Sequence, residues 1–170
     1  MIHQFISKAK NNPDDNKELM LISYQNESTV MLSAHNSANI SNVMCKLNSN
    51  NGWVSYSSIT PPIQLDKGEY VQFKNLDTCG NNTNGYIQFI MTGLFHSRGT
   101  IINKNHTGKT DRFNSLFKDC KSLLSGPNII LREFKQNIDG VNDYYTDRGL
   151  SSCFEGCSNL VSVRKNSFFK

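Results

Sequence analysis

Phe113-Asn114-Ser115-Leu116-Phe117-Lys118-Asp119-Cys120-Lys121-Ser122-Leu123 and Leu150-Ser151-Ser152-Cys153-Phe154-Glu155-Gly156-Cys157-Ser158-Asn159-Leu160 are two copies of one pattern. Superposed, Phe113 falls on Leu150, Leu116 on Cys153, Phe117 on Phe154, Cys120 on Cys157 and Leu123 on Leu160. The first four positions are spaced i, i+3, i+4, i+7, which is one face of an α-helix. The fifth follows a polar break and opens a run such as Leu160-Val161-Ser162-Val163, which reads as a short strand. Each copy is therefore expected to be a short helix, a tight turn and a strand. Neither buries its apolar face alone, and stacking one copy on the other does.

The cores Leu116-Phe117-Lys118-Asp119-Cys120-Lys121-Ser122-Leu123 and Cys153-Phe154-Glu155-Gly156-Cys157-Ser158-Asn159-Leu160 resemble the F-x-G/D-C-x-x-L core of BspA-like leucine-rich repeats. Such repeats occur in surface proteins of gut bacteria and in proteins of their phages. The resemblance implies that the Phe fills the solenoid core, the small Cys lets turns approach, and the Leu starts the strand. The copies lie 37 residues apart, beyond the usual spacing of roughly 20–29, so residues are inserted between them. Two copies are too few for an independent solenoid, and the pair is expected to dock on the rest of the chain.

That rest reads as β. Leu19–Tyr24, Ser28–Ser33, Asn42–Leu47, Trp53–Ser57, Glu69–Lys74, Tyr86–Met91 and Thr100–Asn103 are candidate strands, alternating at Val71/Gln72/Phe73/Lys74 and Val43/Met44/Cys45/Lys46/Leu47. Asn50-Asn51-Gly52 is a hairpin signal, Asp66-Lys67-Gly68 a turn, and Pro61-Pro62 an edge or connection. Short strands with turns every eight to twelve residues predict a β-sandwich or barrel. The hairpin around Trp53 and the strand Gly68-Glu69-Tyr70-Val71-Gln72-Phe73-Lys74 also resemble a β-domain that often precedes these repeats. The expected fold class is mainly β: an N-terminal arm at 1–17, a β-sandwich at 18–104, and two leucine-rich-repeat-like helix-turn-strand units at 105–170.

A chain of 170 residues fits one domain with a small appendage and needs no metal or disulfide to fold. Its formal charge of +4 is mild and its Lys and Arg are scattered, which argues against a nucleic-acid partner. Five cysteines without a regular framework argue against a disulfide-stapled module and read as small buried thiols. Met1–Lys10 carries no apolar core of a secretory signal, and nowhere do eighteen apolar residues run together, so membrane insertion is not expected.

The chemical motifs fail on inspection. Gly108-Lys109-Thr110 has Asn103 where a phosphate-binding loop needs Gly, and His3, His35, His96 and His106 lack ligand partners at metal spacing. There is no Gly-x-Ser-x-Gly elbow. The Asn-x-Ser/Thr triplets at Asn26, Asn39, Asn81 and Asn105 are those expected by chance in a chain in which Asn is the commonest residue. No cofactor, metal or catalytic residue is expected.

Two segments are candidates for contact with partners. Tyr144, Tyr145, Asp147 and Arg148 sit in the insertion 135–148; Tyr supplies large contact area at little entropic cost. Ile2, Phe5 and Ile6 are an apolar clip on a polar tether and suit docking onto a larger assembly. The expectation is a non-enzymatic structural or binding protein, a phage virion component made in the host cytoplasm. Its partners would be other virion proteins or copies of itself, with a host-surface receptor or glycan as target. The alternative is a bacterial cell-surface adhesin of the same repeat family.

Overall fold

A computed structural model describes residues 18–36, 38–48, 52–59, 61–76, 79, 85–103, 115–131 and 152–163. They are mainly β. In chain order the strands are β1 (Leu19–Ser23), β2 (Ser28–His35), β3 (Met44–Leu47), β4 (Val54–Ser55), β5 (Ile63–Leu65) and β6 (Tyr70–Lys74). They continue as β7 (Tyr86–Thr92), β8 (Phe95–Arg98), β9 (Thr100–Asn103), β10 (Leu123–Gly126), β11 (Asn128–Leu131) and β12 (Ser162–Val163). The expected strands are present with shifted ends; β5 and β8 were not anticipated.

A seven-stranded sheet runs β12-β10-β8-β1-β6-β3-β4, facing a three-stranded sheet β5-β2-β7; β11 and β9 form a separate pair. Alternation decides which side chains enter the shared core. Leu19 and Leu21 of β1, Val71 and Phe73 of β6, and Cys45 of β3 meet Val30 and Leu32 of β2 and Ile87 and Phe89 of β7. The Phe73 and Phe89 rings join the two sheets edge to face, centroids 5.1 Å apart. Tyr56, in the 3-10 turn that follows β4, carries its hydroxyl across the core, where it accepts the Leu32 N–H at 2.8 Å. The same core takes in Leu116, Phe117, Cys120, Leu123 and Cys153.

The other face of the large sheet is also shielded: Met20, Ile22 and Gln72 are buried yet lie outside that core. The Gln72 amide has no hydrogen-bonding partner among the described residues.

Strands β1, β6, β3 and β4 pair antiparallel. From β8 outward the pairing is parallel: Leu123 lies opposite Phe95, and Ser162 opposite Ser125. The pair β9–β11 is parallel as well, with Asn128 opposite Thr100. Register thus steps by 28 residues (123 against 95, 128 against 100) and then by 37 (162 against 125). The first step falls within the usual repeat spacing of roughly 20–29; the second carries the insertion. The repeats do not begin at residue 113. A first rung is β8 and β9, which turn into each other at Gly99, where φ is +76° and a Cβ would overlap the Glu18 carbonyl.

The helices expected in each copy are replaced by turns. Lys118, Cys120 and Leu123 donate their N–H groups to the carbonyls of Ser115, Phe117 and Cys120, and Glu155, Cys157 and Leu160 to those of Ser152, Phe154 and Cys157. Every bond closes over three residues rather than four. Asp119 (φ +59°) and Gly156 (φ +74°) hold the left-handed conformation at matching positions, which ends any α-helix there. Phe113 and Leu150, the first residue of each copy, lie outside the described residues.

Candidate functional site

Phe117 and Leu123 stand six residues apart, as do Phe154 and Leu160, and as do Phe89 and Phe95. The turn between them explains the G/D position of the motif. A left-handed residue with a Cβ costs about 1–2 kcal/mol, which Gly avoids and Asp partly offsets by local hydrogen bonding. Gly156 has a second constraint: a Cβ there would run into the Asp119 side chain of the preceding rung.

Successive rungs are joined by the same contacts used twice. The Phe89 N–H donates to the Leu116 carbonyl at 2.8 Å, and the Phe117 N–H to the Cys153 carbonyl at 2.9 Å. The Cys120 thiol donates to the Phe89 carbonyl at 3.0 Å, and the Cys157 thiol to the Phe117 carbonyl at 2.8 Å. Rings stack in the same sequence, Phe89 on Phe117 at 5.3 Å and Phe117 on Phe154 at 5.5 Å, the latter pair within 2° of parallel. Cys in the motif is therefore both small and a donor. Burial pushes the Cys120 and Cys153 thiols up to about 12 and Cys45 to about 11. They stay protonated at neutral pH, as a donor must, and are poor nucleophiles. All five cysteines are free thiols.

Among the described residues the stack closes at one end and stays open at the other. Toward the body, Phe89 is covered by Phe73, and β8 pairs with β1. At the far end Phe154, Cys157 and Leu160 are only partly buried, where their equivalents Phe117, Cys120 and Leu123 are buried. Val161 is 85% exposed, and among the described residues β12 pairs only with β10. A Lys118–Glu155 ion pair at 3.4 Å crosses the rungs at the surface, where such pairs contribute little.

Of the predicted core residues, Leu116, Phe117, Cys120, Leu123 and Cys153 are brought together and buried, while Phe154, Cys157 and Leu160 line the open end. Tyr144, Tyr145, Asp147 and Arg148, like Ile2, Phe5 and Ile6, lie outside the described residues. Sequence reasoning missed the Phe89–Phe95 rung. The shared six-residue separation is its signal, hidden because Thr92 stands where the other copies carry Cys.

A cleft of about 380 Å³ lies elsewhere, lined by Glu27, Thr29, Gln64, Leu65, Asp66 and Glu69. Two of its carboxylates, those of Asp66 and Glu69, are occupied in fixing turns. Asp66 accepts from the Glu27 N–H at 3.4 Å, and Glu69 from the Asp66 N–H at 2.8 Å and the Asn48 amide at 3.2 Å. Among the described residues no three His, Cys, Asp or Glu side chains are grouped to hold a metal ion, and no helix is long and apolar enough to cross a membrane. No family model, curated protein or solved structure matches the chain.

Proposed function

We propose that this chain is a non-enzymatic structural and binding protein, a phage virion component that contributes to assembly or host attachment. The observation that carries the reading is the open end of the rung stack. A half-covered aromatic ring, a strand edge with no partner among the described residues and an 85% exposed Val161 adjoin there, and apolar surface next to an unpaired edge is what a protein partner covers. The likeness of the Phe117 and Phe154 turns to BspA-like leucine-rich repeats supports the virion setting and equally allows the surface adhesin. Antibody against the chain separates the two. Co-sedimentation with density-purified particles at a constant ratio to their major protein is expected. Absence from particles, with labelling of washed cells, would assign the chain to the bacterial surface instead.

A further inference from the structure

Each rung offers the next a fixed set of groups, and the last rung offers that set to no described residue. Phe89 and Phe117 both use three groups toward the following rung: the ring face, the N–H and the carbonyl oxygen. Phe154 uses its ring toward Phe117, behind it. Among the described residues its N–H has no acceptor, and its carbonyl receives the Cys157 N–H of its own turn but no thiol from a following one. Leu124 is half-buried and passes its carbonyl to the Val161 N–H at 2.9 Å. Val161, its equivalent, is exposed.

We propose that the open end is a docking site for one further rung supplied by a partner protein. That rung is a turn and a strand with an aromatic residue, a Cys, Ser or Thr three residues later, and Leu or Phe three after that, followed by an aliphatic residue. It would lie parallel to β12. The aromatic ring would stack on Phe154, the carbonyl before it would accept the Phe154 N–H, and the thiol or hydroxyl would donate to the Phe154 carbonyl. The occupant is specified by continuity with two existing interfaces of this kind. A second copy of this chain fits less well. The starting face of its own stack is covered by Phe73 and β1, and its open end presents the same groups rather than their complements. Within this sequence, no aromatic residue beyond the described segments is followed by Cys, Ser or Thr at three and Leu or Phe at six. The inference rests on the binding-protein reading above and names its partner chemistry.

The test uses the full chain in solution and a synthetic peptide with the sequence of residues 115–126, which carries Phe117, Cys120, Leu123 and Leu124 in the required pattern. Amide resonances are followed during titration. Saturable shifts centred on Phe154, Val161 and Ser162 are expected. They should be lost with a peptide bearing Ser in place of Phe117 and Leu123. Val161→Glu places a carboxylate where the partner's aliphatic residue would pack; since this position is exposed, the chain still folds, and binding should fall about tenfold or more. Phe154→Ala should lose binding as well. No shifts at millimolar peptide would overturn the proposal while leaving co-sedimentation with particles intact, so the two readings fail separately. Protection of the Phe154 amide from exchange in the free monomer would show that the chain covers its own end, and would also overturn it. Concentration-dependent self-association abolished by Val161→Glu would assign the face to a second copy, against the proposal.

Discussion

Phe117 and Phe154 occupy one position of the repeat, yet they should respond differently to truncation. Phe117 is fully buried between two rings, and Phe117→Ala should cost about 3–5 kcal/mol. Phe154 is only partly buried and stacks, among the described residues, on Phe117 alone, so Phe154→Ala should cost clearly less; urea unfolding of the two variants decides, and equal losses would mean the end is closed. The left-handed position divides in the same manner. Gly156→Ala meets both an unfavourable φ and the Asp119 side chain, and should destabilise by about 1 kcal/mol or more. Asp119→Gly removes a strained Cβ and should be neutral or slightly stabilising. Gln72 is a third residue with a definite expectation. It is fully buried, and neither amide atom is paired among the described residues. Gln72→Met keeps the volume and removes the desolvated amide, so the midpoint of denaturation should rise by the equivalent of about 1–2 kcal/mol.

At the scale of the element, the thiols tie rung to rung and should make the stack sensitive to alkali. The Cys120 and Cys153 thiols are raised by burial from 9.0 to about 12. A folded-state value above the unfolded one means that the unfolded chain gives up its proton first. The stabilisation is complete below about pH 9 and is lost as pH rises toward 12. In that window each such thiol should contribute a slope of about 1.4 kcal/mol per pH unit. Cys120→Ala should lower stability at pH 7 but flatten its decline above pH 9; a parallel decline in both proteins would show that the thiol is not the titrating group. The turns show why a helical pattern was read where no helix forms. Spacing i, i+3, i+4, i+7 marks residues that share one face of a helix, but a turn followed by a strand buries the same residues when another rung lies against it. The left-handed residue at Asp119 and Gly156 decides for the turn, and Gly and Asp at matching positions were visible in the sequence all along.

For the whole molecule, the large sheet runs unbroken from β4 to β12, and one core takes residues from both ends of the chain. Unfolding should therefore be a single transition. The one tryptophan, Trp53, lies beside β4, with the Lys74 ammonium 4.3 Å from its ring centroid, far along the sheet from the rungs. Its fluorescence and the far-ultraviolet circular dichroism should change together, and Phe117→Ala should shift both midpoints equally. A Trp53 signal that ignores Phe117→Ala would show that body and stack unfold as separate units.

Local chemistry was enough to determine much of this protein from sequence. Alternation in Val71-Gln72-Phe73 and in the Tyr86–Met91 run, with turn residues between, specified a β-rich body, because burial of one sheet face imposes a period of two. Duplication of Phe-x-x-Cys-x-x-Leu specified that two segments would stack. Three things were settled only by tertiary structure. Alternation sets Gln72 on the face of β6 opposite Val71 and Phe73, and only the structure shows that this face is buried too, since a strand's two faces reveal their period but not what covers each. Alternation places Phe89 in a strand and leaves Phe95 in no element, although together they form the rung on which the repeats are built. Its role depends on Leu116 and Cys120 arriving from almost thirty residues away, and nothing local encodes that arrival. The sequence suggests Phe168 and Phe169 as a cover for the end of the stack, and both lie outside the described residues; that Phe154 is less buried than Phe117 came only from the structure, because the two carry the same motif and which is interior depends on what stacks next.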